Sequence, residues 1–339
     1  MSRFLSSIFN FKTLYLTSVP RDFWKSVGVV ISLLVAIEMV CRILLIPVGN
    51  FAWAYWSLDA IDKFEWYRSM SENNEVPDIV AIGDSTGARG FDPKHFSKTS
   101  EKTSYNLCWP ANFPKALRAT TYPLLEKGMP PNTLILIQNP RSYIDSQKVV
   151  RFENSILSSQ IAKRYSKDRL VSDYVYLSRL YAARVLLKKY WINHERILSE
   201  PKMAGFMPAE TGSKSKVENS EEEQMDVNET KDFSKERLEC FLQLAEITEN
   251  RGIHLIVVLP PINSGKTPVL YRKYLDWLQS EQSDYEFTIW DLSHPVFLKK
   301  KHFWDESHLN ELGAKVFSLE LGKRYKKHYG ENTLKSKRS

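Results

Sequence analysis

Cysteine is scarce, with three residues in a chain of 339. Cys41 lies in an apolar stretch, so Cys108 and Cys240 form the only possible soluble pair, and a disulfide scaffold is excluded. There is no CxxC, no HExxH and no Cys/His cluster, so no metal or other cofactor is implied. Zinc-finger spacing, an aromatic RNP-like pattern and a basic helix are also absent. With 47 Lys+Arg against 40 Asp+Glu the net charge is only +7, and nucleic acid is not an expected partner. That mild basic excess suits an anionic surface such as phospholipid headgroups or an acidic polymer. No internal repeat is visible.

Apolar residues are plentiful, at 43%, enough for a sizeable core in one large domain or two ordinary ones. Residues 1–26 form a basic leader carrying Arg3, Lys12, Arg21 and Lys25 against one acid, Asp22. Residues 27–48, VGVVISLLVAIEMVCRILLIPV, follow. As a helix they span about 33 Å, close to the ~30 Å thickness of a bilayer's hydrocarbon. Trp24 before them, and Trp53, Tyr55 and Trp56 after them, resemble interfacial aromatic belts. The leader places the N-terminus in the cytoplasm and the main domain outside it, with the lipid bilayer as a partner. Glu38 and Arg42 interrupt the span at helical i,i+4 spacing, acid first. They read either as an internal ion pair or as a contact for a membrane partner. Ala52-Trp53-Ala54 fits a signal-peptidase pattern, but the apolar region is long and charged for a signal, which favours an uncleaved anchor.

Residues 49–77 read as a polar, aromatic-rich connector. From Asp78, strands and helices alternate. Strands are predicted at Ile79–Gly83, Ser104–Leu107, Thr133–Gln138, His254–Leu259 and Glu286–Asp291. Helices are predicted at Lys115–Lys127, Ser234–Arg251, Pro268–Glu281 and Glu311–Lys327, with Gly128 and Gly252 at C-cap positions. This pattern predicts an α/β domain over 78–328, with a five-stranded parallel sheet covered by helices on both faces. An insertion at about 141–233 interrupts it. Its first part reads as helical, and Pro208–Lys231, with almost no large apolar residue, reads as a flexible loop. Residues 329–339 form a basic tail.

Two stretches carry chemistry. In DIVAIGDSTGARG (78–90), Asp84 and Ser85 follow directly on an uncharged strand. A polar turn off the C-terminal end of a central strand is where open α/β sheets place ligands. The same pair also suits the capping of a strand-to-helix turn. In FWDESHLNELGAKVFS (303–318), Asp305 and His308 stand three apart, so one turn can carry both side chains on one side. The carboxylate then holds one ring nitrogen while the other faces outward as a base. Asp305 has a rival role as the N-cap of the final helix. His302, after three lysines, reads as a surface residue, and His95 and His254 read as structural. Arg89 and Arg141 read either as contacts for a substrate anion or as solvated side chains.

Together, IVAIGDS near the start and DESHLN near the end resemble the first and last sequence blocks of SGNH (GDSL-type) hydrolases. The resemblance covers roughly residues 78–325 apart from the insertion. It implies a flavodoxin-like fold, with Ser85 as nucleophile, His308 as general base and acid, and Asp305 as its orienting partner. It also implies an oxyanion hole built from the Ser85 N–H and two middle blocks. Those blocks depart from the family pattern. YNLCWPAN (105–112) lacks the usual glycine, leaving Ala111 or Asn112, and IQNPRSY (137–143) offers Asn139 but has Pro140 in place of the usual Asp. Each missing donor costs roughly 2.7–4 kcal/mol of transition-state stabilisation. A membrane helix before such a domain is similar to bacterial cell-envelope O-acylation proteins that act beside membrane-bound O-acyltransferases. The implied function is acyl transfer or ester hydrolysis on an envelope glycan or polymer, with an ester or acyl-bearing glycan as substrate. The alternative is a non-catalytic accessory protein that docks the acyltransferase and holds its polymer acceptor.

Overall fold

The computed structural model describes residues 21–44, 57–110, 112–145, 204–208, 232–263 and 268–330. The elements are, in chain order, α1 (Arg21–Leu44), α2 (Ser57–Glu72), β1 (Ile79–Gly83), α3 (Ser85–Gly90), α4 (Pro93–Ser100) and β2 (Ser104–Asn106). Next come α5 (Pro114–Thr120), α6 (Tyr122–Lys127), β3 (Thr133–Ile137), α7 (Lys235–Asn250), β4 (His254–Leu259), α8 (Val269–Glu281), β5 (Thr288–Asp291) and α9 (Glu311–Tyr325). Helix was expected to run unbroken over Lys115–Lys127. Instead it breaks at Thr121, because Pro123 has no N–H to donate to a carbonyl one turn back.

The five strands are all parallel, in the order β2-β1-β3-β4-β5. The order reverses between β1 and β3, and the crevice outside the carboxyl ends of two such strands is the ligand position of open α/β sheets. Strand side chains alternate between two cores. Val80, Ile82, Leu134, Leu136 and Val257 face one side and pack with Phe64 of α2, Phe241 of α7 and Tyr274 of α8. Ala81, Ile135, Ile137, Ile256 and Val258 face the other, against Phe96 of α4 and Phe317 and Leu321 of α9. Burial on both faces explains why the strands are nearly uninterrupted apolar runs.

α2 belongs to this packing, although the sequence reading placed it in the connector. Phe64 and Tyr67 are 0% and 1% exposed, and the Phe64 ring lies 4.7 Å from that of Trp109. Lys63 is fully buried, and its Nζ donates to the Cys108 carbonyl at 2.5 Å, just past the end of β2. Near the other end of α2, Ser71 Oγ accepts from Met129 N, ahead of the start of β3. α2 therefore runs antiparallel to the strands, from their carboxyl edge to their amino edge.

α1 is long and apolar enough over Asp22–Val40 to cross a membrane, and none of that stretch is buried against the rest of the chain. It starts six residues before the predicted span. Residues 45–48 of that span, the side chain of Arg42, most of the leader and most of the tail lie outside the described residues. So does the insertion apart from residues 141–145, 204–208 and 232–233. Within 204–208, the Ala204 carbonyl accepts from Asn106 N, and Met207 N donates to the Ala88 carbonyl. This short stretch thus covers the β2 edge. Cys108 and Cys240 are both free and buried, so the soluble cysteines do not pair.

Candidate active site

Gly83 ends β1, and Asp84 turns the chain into α3. Asp84 is 2% exposed, and its carboxylate accepts four hydrogen bonds. Oδ1 takes Thr86 N at 2.9 Å and Thr86 Oγ1 at 2.7 Å, while Oδ2 takes Asn139 N at 3.0 Å and Ser142 Oγ at 2.8 Å. One side chain thus caps α3 and ties the carboxyl end of β1 to the turn after β3. Asn106 does similar work from β2. Its Nδ2 donates to the carbonyls of Gly87 and Phe91, and its Oδ1 accepts from Cys108 N. Both residues hold the turn that presents Ser85.

Opposite that turn, Asp305 Oδ1 accepts from Ser307 N at 2.9 Å and His308 N at 2.8 Å. The Asp305 carboxylate meets His308 Nδ1 at 2.9 and 2.8 Å. His308 Nε2 stands 2.7 Å from Ser85 Oγ. The three residues form one hydrogen-bonded chain at the carboxyl edge of the sheet, although Ser85 and His308 are 223 positions apart. With Nδ1–H directed at the carboxylate, Nε2 is left as an acceptor for the Ser85 hydroxyl. Asp305 is not the cap of the last helix, because Asn310 takes that role, its Oδ1 accepting from Gly313 N. Burial pushes the Asp305 carboxyl upward, but hydrogen bonds from the His308 ring and from the Ser307 and His308 N–H groups outweigh it. The net position is below the usual carboxylate range.

The oxyanion candidates fare unevenly. Ala111 lies outside the described residues. Asn112 is fully buried, its N–H donates to the Trp109 carbonyl at 3.3 Å, and its carbonyl accepts from Gln138 Nε2. Its backbone donor is therefore engaged, while both polar atoms of its side chain have no partner among the described residues. Asn139 N–H is spent on Asp84, and its Oδ1 accepts from Arg141 N at 3.0 Å. That bond leaves Nδ2 as the donor Asn139 can offer.

The side chains read as surface or anion-binding are held in place. Arg141 Nη2 pairs with Glu306 Oε1 at 3.1 Å, joining the turn after β3 to the turn that carries Asp305. The Arg89 guanidinium lies 4.4 Å from the centre of the Trp304 ring, and that ring is 6.1 Å from the His308 ring. His302, expected at the surface, is 7% exposed, and its Nδ1 accepts from Lys299 N. Burial and the adjacent lysines hold its pKa down. His95 is structural, with Nδ1 2.6 Å from Asp92 Oδ2 at the start of α4. Burial pushes the Cys108 thiol up, so it stays neutral and unreactive. Among the described residues no group of three or more His, Cys, Asp or Glu side chains is placed to hold a metal.

Asp84 is the cap that the sequence suggested, but sequence reasoning missed its bonds to Asn139 and Ser142 in the turn after β3, and it missed Lys63. A carboxylate next to a strand-end serine was a legible signal for the first. A lone lysine in a polar helix gave none for the second, since lysines are almost never fully buried. Scanned against protein-family models the chain matches none, and no curated protein matches it.

Proposed function

We propose that the chain is a membrane-anchored serine acyl-transfer enzyme of the SGNH type, with a flavodoxin-like domain. It works on O-acyl groups of a cell-envelope glycan or polymer, with its N-terminus in the cytoplasm and the domain outside. The observation that carries this reading is the Ser85–His308–Asp305 hydrogen-bonded chain. Ser85 Oγ attacks the ester carbonyl while His308 Nε2 takes its proton. The tetrahedral oxyanion collapses, the alkoxide leaves with the proton from His308, and Ser85 holds the acyl group. A sugar hydroxyl or water, deprotonated by His308, then attacks the acyl-enzyme and releases Ser85. Asp305 keeps the ring in the useful tautomer and stabilises the imidazolium. The Ser85 N–H and Asn139 Nδ2 are the donors for the oxyanion. The anchor half of the proposal rests on α1, with its apolar surface wholly unburied, and on the basic leader.

One observation favours the accessory reading, in which the domain docks a membrane-bound O-acyltransferase and holds its polymer. Two backbone donors of the middle blocks, Asn112 N–H and Asn139 N–H, are already bonded within the fold. The full chain in detergent or nanodiscs, given p-nitrophenyl acetate with and without a sugar acceptor, separates the two. Acetyl release or transfer above the buffer rate supports the enzyme. Tight binding of an acidic glycan with no acetyl chemistry supports the accessory protein.

Asp305→Asn is expected to lower turnover by about 10² to 10⁴, because the amide offers an N–H to the ring and favours the wrong tautomer. The same variant carries a stability signature. The carboxyl is depressed in the folded state, so its contribution is present above the unfolded value of about 3.9 and is lost as pH falls through the folded value. Thermal melts should show wild type above the variant at neutral pH, and the two converging in strong acid. A variant silent in both assays would leave His308 without its partner.

A further inference from the structure

The direction of α2 fixes the edge of the sheet from which the chain leaves toward the anchor. Lys63 and Phe64 sit level with Cys108 and Trp109, beyond the carboxyl end of β2. α2 begins at Ser57, six residues earlier, which carries its start about 9 Å further out from that edge. Residues 45–56, which join α1 to α2, can reach at most about 40 Å. The chain therefore leaves toward α1 from the edge that carries Ser85 and His308.

The same edge carries an unusual surface loop between β5 and the Asp305 turn. Val296 is 97% exposed. Lys299, Lys300 and Lys301 follow and are all exposed, and no carboxylate lies between Asp291 and Asp305. Outside α1, the exposed large apolar side chains among the described residues are Met129, Val296 and Leu312. Leu312 lies in the first turn of α9, beside the same turn. The loop is fastened to the segment after His308, since Asn310 Nδ2 donates to the Lys301 carbonyl at 2.8 Å, and it is closed on itself by Lys299 N donating to His302 Nδ1 at 3.0 Å.

From these observations we infer that the 294–301 loop docks on anionic lipid headgroups, so that the Ser85 edge of the domain faces the bilayer and takes its acyl donor from the membrane side. A protruding apolar side chain beside clustered lysines matches the chemistry of an anionic membrane surface, where the ammonium groups meet phosphates and the apolar tip enters the interface. The inference rests on the anchor and the serine-centred site proposed above. It names the side from which the substrate comes. A lipid surface is favoured over a soluble polyanion because Val296 offers nothing to a polyanion, and because the anchor keeps this edge within reach of the bilayer.

The test uses the full chain with Cys41→Ser and Val296→Cys, labelled at position 296 with an environment-sensitive fluorophore. Nanodiscs of phosphatidylcholine alone are compared with nanodiscs that also contain phosphatidylglycerol. The expected result is blue-shifted emission, quenched at least twofold more by headgroup nitroxide lipids in the anionic discs. That quenching should be lost in Lys299→Gln/Lys300→Gln/Lys301→Gln and in high salt. Water-like emission in both discs overturns the inference. So does capture of soluble polyphosphate by the lysines without lipid quenching. Amide hydrogen exchange of unlabelled wild type over 294–301 gives a second readout, with slower exchange expected in anionic discs only. Neither readout needs turnover, and both should be unchanged in Ser85→Ala, so failure of the docking and failure of the serine chemistry are told apart.

Discussion

Ser85→Ala is expected to cut ester turnover by about 10³ to 10⁶ while leaving the fold in place. Losing the nucleophile of a Ser-His-Asp set costs up to roughly 10⁶ in the best-studied protease, and oxyanion donors and binding alone retain some 10³ to 10⁴ over water. The structure explains why the fold should survive. Ser85 Oγ bonds His308, whereas the turn itself is held by the Asp84 carboxylate, whose four bonds do not involve the Ser85 side chain. One lost hydrogen bond at a half-buried site is worth about 1 kcal/mol. Substitution by another nucleophile is blocked nearby, since the Thr86 hydroxyl is committed to Asp84 and burial keeps the Cys108 thiol protonated. Steady-state rates of purified variant and wild type, with thermal melts of both, check this. Retention of more than a tenth of the activity would place the chemistry elsewhere.

Gly83→Ala should be severely destabilising. Gly83 has φ of +145°, a region closed to residues with a Cβ. A Cβ there would stand 1.8 Å from the Ile137 carbonyl oxygen and 2.7 Å from its carbon. Both are backbone atoms of β3, paired with Gly83 in the sheet, so no rotamer change relieves the clash. The strands would have to part at the point where Asp84 N donates to the Ile137 carbonyl, beside the turn that carries Ser85. A loss above about 4 kcal/mol is expected, a large share of the 5–15 kcal/mol of a typical domain. Gly252→Ala is the control. It also has positive φ, at +64°, but nothing lies within 4 Å of an added Cβ, so about 1–2 kcal/mol is expected. Denaturant midpoints of the two variants, measured side by side, should differ widely. Equal midpoints would mean that Gly83 is only conformationally strained and not sterically enclosed.

Much of the fold was legible because its strands announce themselves. Ile79–Gly83 and Thr133–Ile137 are apolar runs without a charge, as burial on both faces demands, and their ends are predicted to within a residue. Ser85, Asp305 and His308 were legible because each lies at a strand end or in a short turn, where spacing translates directly into geometry. The misses have physical causes. The Asp305 capping alternative failed because Asn310, one residue before the helix, is better placed to reach Gly313 N. His302 was read as a surface residue from its lysine neighbours, yet a 3₁₀ turn over Lys300–His302 rotates its ring inward while the lysines stay out. α2 is not legible as part of the domain because its pattern is polar overall. Its buried side includes Lys63, a charge that no periodicity argument assigns to a core. The engaged backbone of Asn112 and Asn139 was also illegible, since it depends on Trp109 and Asp84, which are distant in sequence or joined only through the turn geometry.

If Ser85 is a nucleophile activated by His308, it should be open to covalent trapping. The full chain, treated with a fluorophosphonate and examined by intact-mass and peptide mass spectrometry, should gain one phosphonyl group on Ser85. Labelling should slow by at least a hundredfold in His308→Ala. No adduct on the folded wild-type chain, or an adduct on a residue other than Ser85, would contradict the account.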